Sequence, residues 1–191
     1  MDGIDNRCPW CLGSQLYKDY HDHEWGRPVR EEQKMFEFLI LETFQAGLSW
    51  ITILNKRENF RTAFHNFDIE KVASMDDLDV EELLHNKGII RNRQKIEAAI
   101  NNARVLKGLH SKGKRLVDIL WRYVDGTPID NQRRGMAEVP AVTELATKIS
   151  KDLKKIGFKF IGPTTMYAHM QASGMVNDHL VTCPAYSSCL E

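Results

Sequence analysis

No stretch of the 191-residue chain is apolar for long enough to span a bilayer. The first twenty residues lack the apolar core of a signal peptide, since Asp5, Arg7, Lys18 and Asp19 interrupt them. The expected compartment is the cytoplasm, with no membrane partner. Excess charge is also missing: 26 basic residues balance 26 acidic ones. That excludes a protein that coats DNA through overall basicity, though not one with a single basic face. Cysteine is absent from residues 12–182; Cys8, Cys11, Cys183 and Cys189 lie at the two ends. Without a secretion signal, a disulfide framework is excluded, and four terminal thiols suggest that the termini meet and are held together. Alternating runs of strand length are nearly lacking, with Phe158-Lys159-Phe160-Ile161 the one short exception.

What remains is helical periodicity, and the expected class is all-α. Met35, Phe36, Leu39, Ile40 and Thr43 repeat at helical spacing over 31–46, and Phe60, Phe64 and Phe67 share a face over 58–67. Asp68 can cap a short helix carrying Ile69 and Val72. Asp79, with Glu82 three residues on, reads as a capping-box start. Gly88 ends that helix, and a longer one carries Ile96, Ala99, Ile100, Ala103 and Leu106. Val117, Leu120, Trp121 and Val124 mark another, and residues 127–140 read as a loop. Gly157 stops a helix carrying Leu145, Ile149 and Leu153, and Gly162-Pro163 opens the last one, which Gly174 closes. A single unit over 1–191 is expected, in two helical lobes: 1–35 with 130–191, and about 36–125 carrying a hairpin. It is expected to be a monomer.

Three groups of residues carry chemistry. His179 and Cys183 are four apart, which on a helix or its last turn puts two zinc donors on one face. Cys8 and His21 at the other end complete a closed Cys2His2 set, the structural rather than catalytic type, although Cys11 could replace Cys8. Leu83 to Arg93 reads as helix, tight turn at Gly88, helix; from His85 to Ile96 there is no acid, while Lys87, Arg91, Arg93 and Lys95 bring four positive charges. A helix start of this kind binds phosphate, but an ordinary helical hairpin with a solvated basic edge has the same pattern. Finally, Tyr17 to Gly26 and Leu41 to Trp50 are dense in aromatic and titratable groups. Glu42 sits late in an apolar helix, either exposed on its polar side or aimed into a pocket; Glu is rarely buried without a partner. Trp10, Tyr20, Trp25 and Trp50 either line such a pocket or fill the core.

Several blocks resemble the bacterial DNA-3-methyladenine glycosylase I family, within the helix–hairpin–helix glycosylase superfamily. They are Tyr20-His21-Asp22-x-Glu24-Trp25-Gly26, Leu41-Glu42-x-x-Gln45-Ala46-Gly47-Leu48-Ser49-Trp50, Gly157-Phe158-Lys159-Phe160-x-Gly162, and Asn177-Asp178-His179 with Cys183. The match runs from Arg7-Cys8 to Cys183. The resemblance implies a helix–hairpin–helix glycosylase fold, one structural zinc on Cys8, His21, His179 and Cys183, and a partner in double-stranded DNA carrying alkylated bases. It implies base-excision repair: hydrolysis of the N-glycosidic bond of 3-methyladenine by base flipping, without lyase activity. It makes Glu42 the catalytic carboxylate in a base pocket lined by Trp10, Tyr17, Tyr20 and Trp50. It gives DNA contact to Gln45, Gly47, Leu48, Gly88, Arg91, Arg93 and Lys95. Cys11 is an extra thiol beside the metal set, and no aspartate after the hairpin matches the superfamily's usual catalytic one.

Overall fold

A computed structural model of the chain describes residues 5–190, so the expected boundaries at 1 and 191 lie outside the described residues. Among the described residues nine α-helices carry the fold: α1 Gln15–His23, α2 Glu32–Gln45, α3 Trp50–Ala63, α4 Ile69–Ser74, α5 Asp77–His85, α6 Arg93–His110, α7 Leu116–Trp121, α8 Glu144–Lys155 and α9 Pro163–Ala172. None is long and apolar enough to cross a membrane. The all-α expectation needs one amendment. Two-residue strands β1 Ile129–Asp130 and β2 Val176–Asn177 pair in parallel, and Arg133 bridges to Leu180 beyond them. Loop 127–140 is therefore fastened to the C-terminal segment. The alternating run at 158–161 is the turn between α8 and α9, with Phe158 and Ile161 buried and Phe160 exposed.

The helix α2 is buried on every side from Met35 to Phe44, as a central core helix must be. The helix α9 packs against it and against α8, and α6 covers α4 and α5. The chain's short polar residues set the helix starts. Asp68 accepts from the Lys71 N–H, Asn92 from that of Lys95 and Thr143 from that of Ala146. The capping box at α5 sits one turn earlier than expected: Asp76 is the cap and Asp79 its partner, because Asp77 already lies in the helix. Glu32 does the same work at a distance, its carboxylate accepting from Leu116 N and Val117 N at 2.8 and 2.9 Å. The phenylalanine face of 58–67 is not one helix. The helix α3 stops at Ala63, and His65, Asn66 and Phe67 all turn left-handed. Phe64 and Phe67 still stack at 6.0 Å between ring centroids.

Gly174 ends α9 at φ +71°, and a Cβ there would stand 2.4 Å from the Arg27 carbonyl carbon. The backbone of residues 27–28 cannot yield without pulling Val29 from its hydrogen bond to Ser173 O. Gly174→Ala is expected to cost about 2–4 kcal/mol in urea unfolding, because left-handed strain and a backbone clash add. A variant as stable as wild type would show that this packing is not tight.

Candidate base pocket and terminal metal cluster

The last turn of α2 and the start of α3 bring Glu42, Gln45 and Trp50 to one cavity of about 270 Å³. Residues from α1 and the segments flanking it supply Trp10, Tyr17, Tyr20 and Trp25. The remaining wall is Met136 and Val139 from loop 127–140, Ala168 and Gln171 from α9, and Asp178. Every residue assigned to the base pocket from the sequence is present in this cavity. Those last five were given no role from the sequence, since they come from a loop without a motif and from positions whose neighbours are distant in the chain. Asp178 alone had a signal, within the quoted Asn177-Asp178-His179 block.

The walls are aromatic. Tyr20 and Trp50 lie with ring centroids 5.4 Å apart and tilted by 42°, while Trp10 meets Tyr17 and Trp25 edge-on at 5.0 and 4.9 Å. Two buried donors here, Tyr20 Oη and Trp50 Nε1, have no partner. Such groups are costly to bury and imply an incoming acceptor. Glu42 is equally alone. It is 4% exposed, and burial pushes its carboxyl up to about 8. Its neighbour on α2, Glu37, is just as buried but pairs with Arg57 at 2.7 Å and Arg61 at 2.8 Å. The contrast separates a carboxylate committed to structure from one left free for something that enters.

Behind this wall the termini meet, as the cysteine placement suggested. One donor atom from each of Cys8, His21, His179 and Cys183 lies within 4.8 Å of all the others, and all four residues are buried. The Sγ–N separations are 3.7 Å for Cys8–His179, 3.5 Å for Cys183–His21 and 3.6 Å for Cys183–His179. A tetrahedron built with zinc–sulfur and zinc–nitrogen bonds has mixed edges of roughly 3.5 Å, so the donors fit the ion. The second ring nitrogens are also placed for it. His21 Nδ1 donates to Asp22 at 2.8 Å and His179 Nε2 to the Trp25 carbonyl at 3.1 Å, leaving Nε2 and Nδ1 respectively to face the thiols. Arg7 holds Asp22 in turn.

One detail differs from the sequence reading: His179 and Cys183 share no helix, and a tight turn after β2 brings them together. Cys189 is buried in a short 3-10 turn, Ser187–Cys189. Cys11 points its thiol at the Cys8 carbonyl and stands outside the cluster. Gly26, at φ +79°, passes so close that a Cβ would sit 2.9 Å from His179 Nε2.

The α5–α6 hairpin spans residues 86–92, with Arg91 exposed at its end. Gly88 turns the chain without a left-handed backbone. It is small because a Cβ would lie 3.0 Å from the Asn59 side chain of α3. Arg93 is exposed but salt-bridged to Glu81 and Glu97. Lys95 departs most from its expected place on a basic edge. It is 7% exposed, and its Nζ donates to the Phe44 carbonyl at 2.9 Å and the Ala46 carbonyl at 2.6 Å. Its position in the first turn of α6 points it inward, where it closes the end of α2 and ties the hairpin to the loop of Gly47 and Leu48. Those two residues are exposed, Gly47 at φ +83°, and Gln45 steadies the loop through Leu48 O. Lys95→Met is therefore expected to cost about 2 kcal/mol of stability by leaving two carbonyls unmet. Arg91→Ala should instead leave the melt unchanged and flatten the salt dependence of DNA binding by about one unit of slope. The reverse pattern would return Lys95 to the surface role.

A cavity with aromatic walls, an unpaired carboxyl and two unpaired donors receives a flat ring with a polar edge, the design of a protein that handles single nucleobases. Comparison makes the class specific. Residues 10–186 match the methyladenine glycosylase family. The chain is 48% identical to the DNA-3-methyladenine glycosylase of Haemophilus influenzae, over 97% of this chain and all of that one. It is 49% identical to DNA-3-methyladenine glycosylase 1 of Escherichia coli, over 94% of this chain and 96% of the relative. A crystal structure of a 3-methyladenine DNA glycosylase I superposes with a TM-score of 0.92 at 47% identity, covering 94% of this chain and 99% of that one. The Staphylococcus aureus enzyme, studied for its recognition of 3-methyladenine, gives 0.90 at 40% identity over 96% and 98%. The chain belongs to the methyladenine glycosylase family, and with it to the hydrolases that act on N-glycosyl bonds.

Proposed function

We propose that the chain excises 3-methyladenine from alkylated DNA by turning the damaged nucleotide out of the duplex into the aromatic cavity. The observation that carries this reading is the buried, unpaired Glu42 beside the Tyr20–Trp50 pair. An adenine methylated at N3 is cationic while attached to the sugar and leaves as a neutral molecule, so its bond is already weak. What the protein must supply is selection and extraction rather than strong acid catalysis. The Trp50 indole favours a cationic ring, and the positive charge draws the Glu42 carboxyl back toward its ionised form. Ionised, Glu42 accepts from the amino edge of the base and favours the positive charge that develops on the sugar. Tyr20 Oη and Trp50 Nε1 are the donors for ring acceptors. The reading is of a hydrolase without lyase activity.

The α5–α6 pair is read as the helix–hairpin–helix that grips the phosphate strand, through hairpin backbone around Gly88 and the free Arg91, while Leu48 with Gln45 fills the gap left in the stack. The zinc set Cys8, His21, His179 and Cys183, when loaded, serves as a staple that fixes the edges of Trp10 and Trp25 in the pocket wall. His179 supports this reading, since its ring lies 4.6 Å from that of Trp25. Release of free 3-methyladenine from methylated duplex DNA tests the proposal.

A further inference from the structure

We propose that Gln171 is a specificity-determining residue of this cavity, held by Asp178 so that it offers a carbonyl acceptor and selects a base edge bearing an amino group over one bearing a carbonyl. The inference rests on the base-pocket reading above. Both residues line the cavity. The Asp178 carboxylate is fully buried and takes four hydrogen bonds: Asn131 Nδ2 at 2.8 Å and Arg133 Nε at 2.9 Å on one oxygen, Tyr167 Oη at 2.5 Å and Gln171 Nε2 at 2.8 Å on the other.

The Asp178 carboxylate is paired with the Arg133 guanidinium and ringed by donors, and a carboxylate so paired only accepts. The Gln171 amide is therefore fixed by chemistry: its nitrogen must face Asp178, and turning it over would set oxygen against oxygen. The Gln171 Oε1 accepts from no other described side chain or backbone group. Ala168, one helical turn earlier, lines the same cavity, so this edge of α9 faces it. An exocyclic amino group has two N–H bonds, and Glu42 with Gln171 supplies one acceptor for each. A carbonyl at the same place has no N–H to offer the Gln171 oxygen and sets acceptor against acceptor there. Asp178 acts through Gln171 as a positioning residue. It also anchors loop 127–140 through Asn131 and Arg133, and so the wall formed by Met136 and Val139.

The test is titration of folded wild type, Gln171→Met and Asp178→Asn with 3-methyladenine and with 3-methylhypoxanthine, which carries a carbonyl in place of the amino group. Wild type should favour 3-methyladenine. Gln171→Met, close in shape but without polar atoms, should narrow the ratio of affinities about tenfold. Asp178→Asn can donate to Gln171 and so permits the amide to turn over; its ratio should narrow too. An unchanged ratio in Gln171→Met, or equal weakening of both bases, would overturn the assignment and leave Gln171 a packing residue. Should Asp178→Asn not fold, Gln171→Met decides alone. A wild type that binds neither base overturns the pocket reading and this inference with it, whereas a failure confined to the ratio leaves the pocket reading standing.

Discussion

Glu42→Ala is expected to weaken 3-methyladenine binding by one to two decades, since a charge-assisted contact made in a dry site is worth roughly 1.5–3 kcal/mol. It should not unfold the protein. The carboxyl has no protein partner to orphan, and removing it relieves desolvation. Glu42→Gln should impair binding as well, because the amide carries no charge and can present a donor. The same residue gives a pH signature. Burial raises the carboxyl from 4.5 to about 8 in the folded chain, so the native state holds a proton that the unfolded state releases earlier. This contribution to stability is full below about pH 4.5 and is lost as pH rises through about 8. Thermal melts of the free protein should show Glu42→Gln gaining on wild type between pH 6 and pH 9. Parallel curves would mean that Glu42 is solvated, and that it is not the free buried carboxylate described above.

Cys183→Ser is expected to have the larger effect on the fold. If zinc occupies the terminal cluster, wild type purified without chelator should carry about one equivalent per chain, and the variant well under half. Binding to a closed site is folding free energy, and the loss should be on the order of 5 kcal/mol. The damage should extend to the pocket, because His179 holds the Trp25 carbonyl and stacks edge-on against its ring. Chelator should lower the melting temperature of wild type and leave that of Cys183→Ser unmoved. Wild type that is metal-free and insensitive to chelator would reduce the four residues to a buried cluster of thiols and imidazoles.

Much of this was legible in the sequence because the signals are local or chemical. Helical period placed the long helices, Gly157, Gly162-Pro163 and Gly174 marked their ends, and thiols confined to the termini indicated that the ends meet. Glu42 was ambiguous for a physical reason: nothing within the chain around it says whether a carboxylate late in an apolar helix is solvated, and only the packing of α1, α3 and α9 around it decides. Lys95 went astray for the same reason. A lysine in a run without acids looks like a solvated edge, yet the end of α2 lies across from it and needs a donor for two carbonyls. The pocket wall from Met136 and Val139 had no periodicity to betray it. It is set by β1 pairing with β2 and by Arg133 reaching Asp178, contacts between residues more than 40 positions apart. Gly88 shows the converse: the sequence marks it as the turn, but what requires a glycine there is the nearness of the Asn59 side chain, which no local pattern could reveal.

The most direct test of the central claim is the release of free base from duplex DNA treated with a methylating agent, separated by chromatography, with wild type and Glu42→Ala compared at matched folded concentration. Wild type should release 3-methyladenine and leave the DNA strand uncut at the abasic site, and Glu42→Ala should release it far more slowly while melting no lower than wild type. Equal release by both proteins, or none by wild type, would contradict the assignment of this cavity as the site of excision.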